Sequence, residues 1–231
     1  MNMKRFLILS IALALLFALT ACSAKEKTEE SSAPLDEALQ GTQTLAQVES
    51  SESSSAASAD ADFVGERPSA GEVNGEKVTP AVDWSLVDQN GTRHKMADYK
   101  GKVVVLNFWQ TWCPPCLAEM PDIQKVYKDL GENQGDVVIL GVSSPSNELN
   151  TVYTQESKTD AEIKAFLDEN KYSYPSLMDY TGELYMAYTI SAFPTTIFIN
   201  PDGNVFGFLP GGLSEANLLK FIDECRASSE K

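Results

Sequence analysis

Residues Trp112-Cys113-Pro114-Pro115-Cys116 carry the most specific chemistry in the chain. Two cysteines separated by two residues, after an apolar run and at the start of a helical pattern, are spaced to close and open a disulfide. The first turn of a helix has unpaired N–H groups and the positive end of the helix dipole, which stabilise a thiolate at Cys113. Cys116 lies one turn further in, near enough to form a disulfide and less exposed. The chemistry is then thiol–disulfide exchange. Cys113 attacks a substrate disulfide, a mixed disulfide forms, and Cys116 resolves it. A disulfide that only staples the helix start is the bland alternative.

Other chemistries fail on counting. A zinc site wants four ligands, and the only Cys and His outside the N-terminal region are Cys113, Cys116, Cys225 and His94, which are scattered. A c-type haem site needs histidine after the second cysteine, where Leu117 stands. Ser-His-Asp or Cys-His catalysis has only His94 to use. No metal and no cofactor beyond a redox-active disulfide are therefore expected. His94, between Arg93 and Lys95 in a polar strand, is expected to be exposed. Cys225 shares the apolar face of a helix and is expected to be a buried small hydrophobe. Trp109 is expected in the core, and Trp112 over the sulfurs at the surface.

The elements that must position these cysteines alternate between strand and helix. Ala81–Leu86 and Thr92–Lys95 flank the turn Asp88-Gln89-Asn90-Gly91 and predict a hairpin. Val103–Trp109 is a continuous apolar run, as in a strand covered on both faces. Pro114–Leu130 predicts a helix bent or restarted around Pro121. Val137–Val142 is a second buried strand, followed by a helix around Asp160–Asn170 and a short one near Glu183–Tyr188. Thr195–Asn200 and Val205–Leu209 predict a hairpin around Pro201-Asp202-Gly203-Asn204. A last helix starts at Ser214, a plausible N-cap, with Leu218, Leu219, Ile222 and Cys225 at helical spacing. The fold class is α/β, with no internal repeat.

The stretch from Val104 to Pro121, VVLNFWQTWCPPCLAEMP, resembles the thioredoxin superfamily, and more narrowly the TlpA/ResA-like extracytoplasmic thiol–disulfide oxidoreductases. The likeness runs from about Thr79 to Ala227. It implies a thioredoxin fold: a central mixed sheet flanked by helices, an N-terminal hairpin, and a TlpA-type insertion at roughly Ser143–Tyr174. Pro194 matches the family's cis-proline, which faces the cysteines across a cleft, and Phe193 and Thr195 would flank the groove where a substrate strand pairs. Two departures matter. Thioredoxins place a buried Asp where this chain has Asn107, and ResA-type proteins commonly carry Glu where this chain has Pro115. Glu119, one turn after Cys116, is a candidate substitute as proton shuttle; the competing readings are a solvated helix carboxylate, or water in that role.

The chain has 231 residues, 33 acidic and 18 basic, for a formal net charge of -15. That excludes a nucleic-acid binder that works by neutralising phosphates. Lys4 and Arg5 precede the apolar run Phe6–Leu19, which as a helix would rise only about 21 Å, short of the roughly 30 Å hydrocarbon core. This is the pattern of a signal peptide, residues 1–21. Leu19-Thr20-Ala21-Cys22 resembles the bacterial lipobox, in which the cysteine is lipidated. Residues 22–78 are rich in Ser, Ala and Glu and are expected to be a disordered tether. Residues 79–231 are expected to be the thioredoxin-like domain.

Direction of electron flow follows from the residues between the cysteines. A strong oxidant needs a first-cysteine pKa near 3.5, about 5 units below the free thiol, or roughly 7 kcal/mol. A helix terminus supplies at most about 2 kcal/mol, and Pro114 and Pro115 bring no N–H and no polar side chain. A reductase is expected, with a disulfide-forming oxidase or a non-catalytic binding lipoprotein as alternatives. The resemblance implies protein disulfide substrates, such as those of apocytochrome c or an oxidised methionine sulfoxide reductase. It also implies a CcdA-type membrane thiol transporter as electron donor. A monomer held at the membrane by its lipid is expected.

Overall fold

The computed structural model describes residues 61–73, 75–150 and 157–229. The stretch expected to be a signal peptide, Cys22 and the expected tether up to residue 60 lie outside them. In chain order the described elements open with three short strands, β1 (Phe63–Val64), β2 (Gly71–Val73) and β3 (Glu76–Val78). The hairpin strands β4 (Trp84–Val87) and β5 (Arg93–Lys95) follow, then a 3-10 turn over Met96–Tyr99. The central motif is β6 (Val103–Phe108), α1 (Pro114–Asp129) and β7 (Val137–Ser143). Next come α2 (Asp160–Glu169), β8 (Ser176–Met178) and α3 (Glu183–Ala187). The chain closes with β9 (Thr195–Ile199), β10 (Val205–Pro210) and α4 (Glu215–Ala227).

Five strands form the central sheet in the order β10-β9-β6-β7-β8. β6, β7 and β8 are parallel, while β9 runs antiparallel to β6, and β10 to β9. This is the mixed sheet of the thioredoxin fold. Period-two alternation divides β6 between two apolar layers. Val103 and Val105 join one layer with Met120, Ile123 and Val126 of α1 and Leu218 and Ile222 of α4. Val104, Leu106 and Phe108 join the other, with Trp84 and Leu86 of the β4–β5 hairpin and Leu184 and Tyr185 of α3. Because both faces are covered, β6 and β7 are buried along their whole length and apolar apart from Asn107 and Ser143, instead of alternating. Each fully buried Val or Leu contributes about 1.5–3 kcal/mol. Gly141 of β7 is required by close approach: a Cβ there would sit 2.9 Å from the Ser176 hydroxyl and 3.0 Å from the Trp109 indole nitrogen. Those two groups hydrogen-bond to each other across it at 2.9 Å.

Three features differ from, narrow or add to what the sequence predicts. Strands β1–β3 lie inside the stretch expected to be tether, so ordered structure begins before residue 78: β1 pairs antiparallel with β4, and β2 with β3. Strands of two or three residues in a Ser/Glu-rich stretch give no periodicity to detect. Of the two outcomes expected at Pro121, a bend or a restart, the restart does not occur: α1 is one continuous helix with Pro121 inside it. The short strand β8 was not anticipated; it extends the parallel sheet beyond β7. Among the described residues no helix is long and apolar enough to cross a membrane.

Candidate active site

The chain leaves β6 through Trp109 and Gln110 and turns into α1 over Gln110–Cys113, where the Cys113 N–H donates to the Gln110 carbonyl at 3.1 Å. Cys113 has extended backbone and is the N-cap of α1, with Pro114 and Pro115 in its first turn. Cys113 and Cys116 are joined in a disulfide, their Cα atoms 5.3 Å apart. The Cys116 N–H donates to the Cys113 Sγ at 3.2 Å. The two preceding residues are prolines without N–H, so at the helix start the sulfur receives one main-chain donor. Cys113 is 3% exposed and Cys116 fully buried, which leaves Cys113 as the sulfur that a substrate reaches.

The loop before β9 meets this helix start. The Phe193–Pro194 bond is cis. Trp112, 37% exposed, meets the Phe193 ring edge-on with centroids 5.5 Å apart, and Phe193 packs against the cluster that contains both cysteines. Trp112, next to Cys113 in the chain, thus joins the start of α1 to the loop that carries the cis bond. Thr195 departs from the groove expected of it. It is fully buried, its hydroxyl donates to the Ala192 carbonyl at 2.8 Å, and its backbone is paired with both Phe108 and Pro210. It shapes the turn and offers no side chain to a substrate.

Glu119 is not the solvated helix carboxylate that its place on α1 allows; it is 4% exposed. Its Oε1 accepts from the Asn107 amide at 2.8 Å and its Oε2 from the Leu213 N–H at 2.7 Å. Burial pushes the carboxyl above its ordinary range, and the Leu213 and Asn107 hydrogen bonds oppose that only in part. Asn107 also donates to the Thr196 hydroxyl at 3.0 Å, its direct partner across β6 and β9. The segment Gly211–Leu213 ties this carboxylate to the cis-proline, because the Gly211 N–H donates to the Pro194 carbonyl at 2.8 Å. Asn107 was marked in the sequence as standing in the place of the thioredoxins' buried Asp, but its hold on Glu119 was not foreseen, and Thr196 and the Leu213 N–H are site groups that the sequence reading missed. A backbone donor from a distant loop leaves no signal in the sequence.

His94 is likewise more covered than expected, with its side chain 13% exposed. Its Nδ1 meets the Tyr99 hydroxyl, and its Nε2 lies 3.2 Å from Asp88 Oδ2. Burial raises the Asp88 carboxyl, but hydrogen bonds from His94 and from the Thr92 and Asn90 N–H groups outweigh it and hold the pKa below the usual value. His94 belongs to this hairpin network, not to the disulfide. Cys225 is free and fully buried, and burial pushes its thiol up to about 12. Among the described residues no group of three or more His, Cys, Asp or Glu side chains is placed to hold a metal ion.

A strand, a cysteine pair capping the following helix and a cis-proline loop packed beside it define a thioredoxin-type redox site. Residues 78–206 match the AhpC/TSA family, and the chain belongs to that family. It is similar to the thiol–disulfide oxidoreductase ResA of Bacillus subtilis, 32% identical over 143 residues that cover 62% of this chain and 72% of the relative. The ResA of Oceanobacillus iheyensis is 32% identical over 149 residues, 64% of this chain and 67% of the relative. Among solved structures, the exposed lipoprotein thioredoxin of Streptococcus pneumoniae TIGR4 is 31% identical with a TM-score of 0.54, over 62% of this chain and 98% of that one. The protein is a thiol–disulfide oxidoreductase of the ResA-like kind.

Proposed function

We propose that the protein works outside the cytoplasm, tethered to the membrane by a lipid on Cys22, and reduces disulfides in other proteins. The observation that carries the direction is the start of α1, where a single main-chain N–H, that of Cys116, reaches the Cys113 sulfur. A thiolate with so few donors is only moderately stabilised. The expected Cys113 pKa is near thioredoxin's roughly 7, with a reducing couple. The signal-peptide pattern and the Leu19-Thr20-Ala21-Cys22 motif support the location, and one solved relative is described as an exposed lipoprotein. A CcdA-type thiol transporter in the membrane supplies the electrons. Apocytochrome c and oxidised methionine sulfoxide reductase are the substrate classes that fit such a reductant, and the protein acts as a monomer that uses no cofactor beyond its own cysteines.

The reaction begins with the reduced pair. The Cys113 thiolate attacks one sulfur of the substrate disulfide, and the other leaves as a thiolate. Trp112, Phe193 and Pro194 form the border of the groove in which the substrate meets the attacking Cys113 sulfur. Glu119, one turn along α1 from Cys116, takes the Cys116 proton; burial raises its proton affinity above that of a solvated carboxylate, which suits it to accept one. The Cys116 thiolate then attacks Cys113 and releases the substrate as a dithiol, leaving the Cys113–Cys116 disulfide seen in the structure. The test is the reduction potential of this pair, read by equilibration with glutathione or dithiothreitol followed by alkylation and mass. A value near roughly -270 mV is expected. A value near -120 mV, that of a strong oxidant, overturns the direction.

A further inference from the structure

Asn107 is 1% exposed, set in the apolar run of β6. Its Nδ2 makes both of its side-chain hydrogen bonds, to Glu119 Oε1 and to Thr196 Oγ1. Its Oδ1, equally buried, has no hydrogen-bond partner among the described residues. Leaving a buried amide oxygen unpaired costs about as much as the hydrogen bond it forgoes, so its presence beside the one carboxylate of the site asks for a reason.

The reason lies in how Glu119 is held. Its Oε2 accepts from the Leu213 backbone N–H, a donor that cannot turn into an acceptor. Protonation on Oε1, the oxygen that faces Asn107, leaves the Leu213 hydrogen bond to Oε2 untouched. An acid O–H aimed at an amide NH2 sets two donors face to face. A half-turn of the Asn107 amide removes that conflict by putting Oδ1 where Nδ2 was. Oδ1 then accepts from the Glu119 O–H, and the Thr196 hydroxyl, which both donates and accepts, reverses its role. Either way Glu119 and Thr196 keep their hydrogen bonds, and one end of the amide is left over.

We propose that Asn107 is the positioning residue of the proton transfer, its amide turning over as Glu119 takes and returns the Cys116 proton so that both states of the carboxyl stay hydrogen-bonded in the core. This rests on Glu119 accepting that proton, as read above. The step balances. The proton passes from Cys116 Sγ to Glu119 Oε1, and the Cys116 thiolate attacks Cys113 of the mixed disulfide. The bond to the substrate breaks, its electron pair leaves with the substrate sulfur, and the proton ends on that sulfur, directly or through solvent. Of the groups facing Glu119, the Asn107 amide, the Thr196 hydroxyl and the Leu213 N–H do not titrate near neutral pH. The buried Tyr174 phenol, which feels the Glu119 charge, is held well above its usual range, mainly by burial. In the mixed disulfide Cys113 is bonded to the substrate sulfur, so Cys116 is the one free thiol of the pair.

The test uses the full chain. A mixed disulfide is formed between Cys113 and a peptide thiol, and the rate at which Cys116 releases the peptide is followed against pH. Asn107→Leu removes the donor to the carboxylate and shifts the midpoint upward by about one pH unit, tenfold in proton affinity. Asn107→Asp sets a second carboxyl against the first and shifts it upward as well. In the unaltered protein, the Asn107 side-chain amide signals in a 15N NMR titration move with the same midpoint, and in Glu119→Gln they stay fixed. An unmoved midpoint in Asn107→Leu, or amide signals that do not follow the titration, overturns the inference. Should Asn107→Leu fail to fold, the NMR titration of the unaltered chain decides. A Glu119→Gln profile identical to wild type overturns the Glu119 reading itself, and the role of Asn107 with it.

Discussion

Helices α1 and α2 meet the same problem at their N-termini and answer it in opposite ways. Each begins with N–H groups that have no carbonyl within the helix to accept them. At α2 the answer is closed and local. Thr159 Oγ1 accepts from the Glu162 N–H while the Glu162 carboxylate accepts from the Thr159 N–H at 3.0 Å, and Asp160 adds a second negative charge to the first turn. Those hydrogen bonds, from the Thr159 backbone and then its hydroxyl, hold the Glu162 carboxyl below its ordinary pKa. At α1 two donors are deleted by Pro114 and Pro115, no acidic residue sits in the first turn, and the next N–H points at a sulfur. The comparison separates a terminus whose donors satisfy its own residues from one whose donors tune a reacting atom. The number of donors aimed at that atom becomes a functional variable.

The sharpest way to break the comparison is Cys113→Ser. Serine is a good N-cap, so if the start of α1 were only a cap, this variant would lose nothing. Insulin-disulfide reduction is expected to fall to the uncatalysed background, about a thousandfold or more, because the nucleophile is gone. Thermal unfolding should stay close to that of the reduced wild-type protein. Retained turnover would make the disulfide a staple and remove Cys113 from the chemistry.

How far the site was legible in the sequence depends on how far apart its parts lie. The spacing of Cys113 and Cys116 is local, and so are the apolar run of β6 and the Ser214 cap, whose hydroxyl accepts from the Asn217 N–H. All three could be found from residues within one or two turns of each other. The Phe193-Pro194 loop came only through resemblance, since nothing in its local pattern points to cysteines eighty residues earlier. Glu119 shows the limit. It stands on α1 at a position compatible with solvent, and what buries and holds it is Asn107 on β6 and an N–H of Leu213, 94 residues further along. Contacts that depend on the register of β6 against β9 and on the path of a loop have no sequence period. The same holds for His94, whose partners Asp88 and Tyr99 are near in sequence but converge only when the hairpin folds.

A smaller change sharpens the comparison by restoring a donor to α1. Pro115→Ala returns an N–H at the second helical position, next to the one Cys116 already directs at the Cys113 sulfur. A hydrogen bond to a charged acceptor stabilises the thiolate by about 1.5 kcal/mol. Stabilising the reduced form makes the couple more oxidising, here by about 30 mV, with the Cys113 pKa lowered by about one unit. Equilibration against glutathione gives the first quantity and alkylation rate against pH the second. An unchanged potential would mean that the missing proline donors do not set the couple, and the argument for a reductase would lose its main support.

The smallest effect is expected at α2, and it should fall on stability alone. Thr159→Ala removes the hydroxyl that accepts from the Glu162 N–H and leaves the reciprocal bond from the Thr159 backbone in place. Losing a Thr cap costs about 1 kcal/mol, which for a domain of this size lowers Tm by about 2–4 °C. The Cys113–Cys116 potential and insulin turnover should stay at their wild-type values, because no donor of α2 points at the disulfide. Calorimetry and the same glutathione equilibration, run on one preparation, check both halves. A shift in potential with the expected loss of Tm would show that the order of α2 reaches the cysteines through the Trp109 and Phe166 rings, whose centroids lie 5.8 Å apart. The separation between a structural and a redox helix start would then be one of degree.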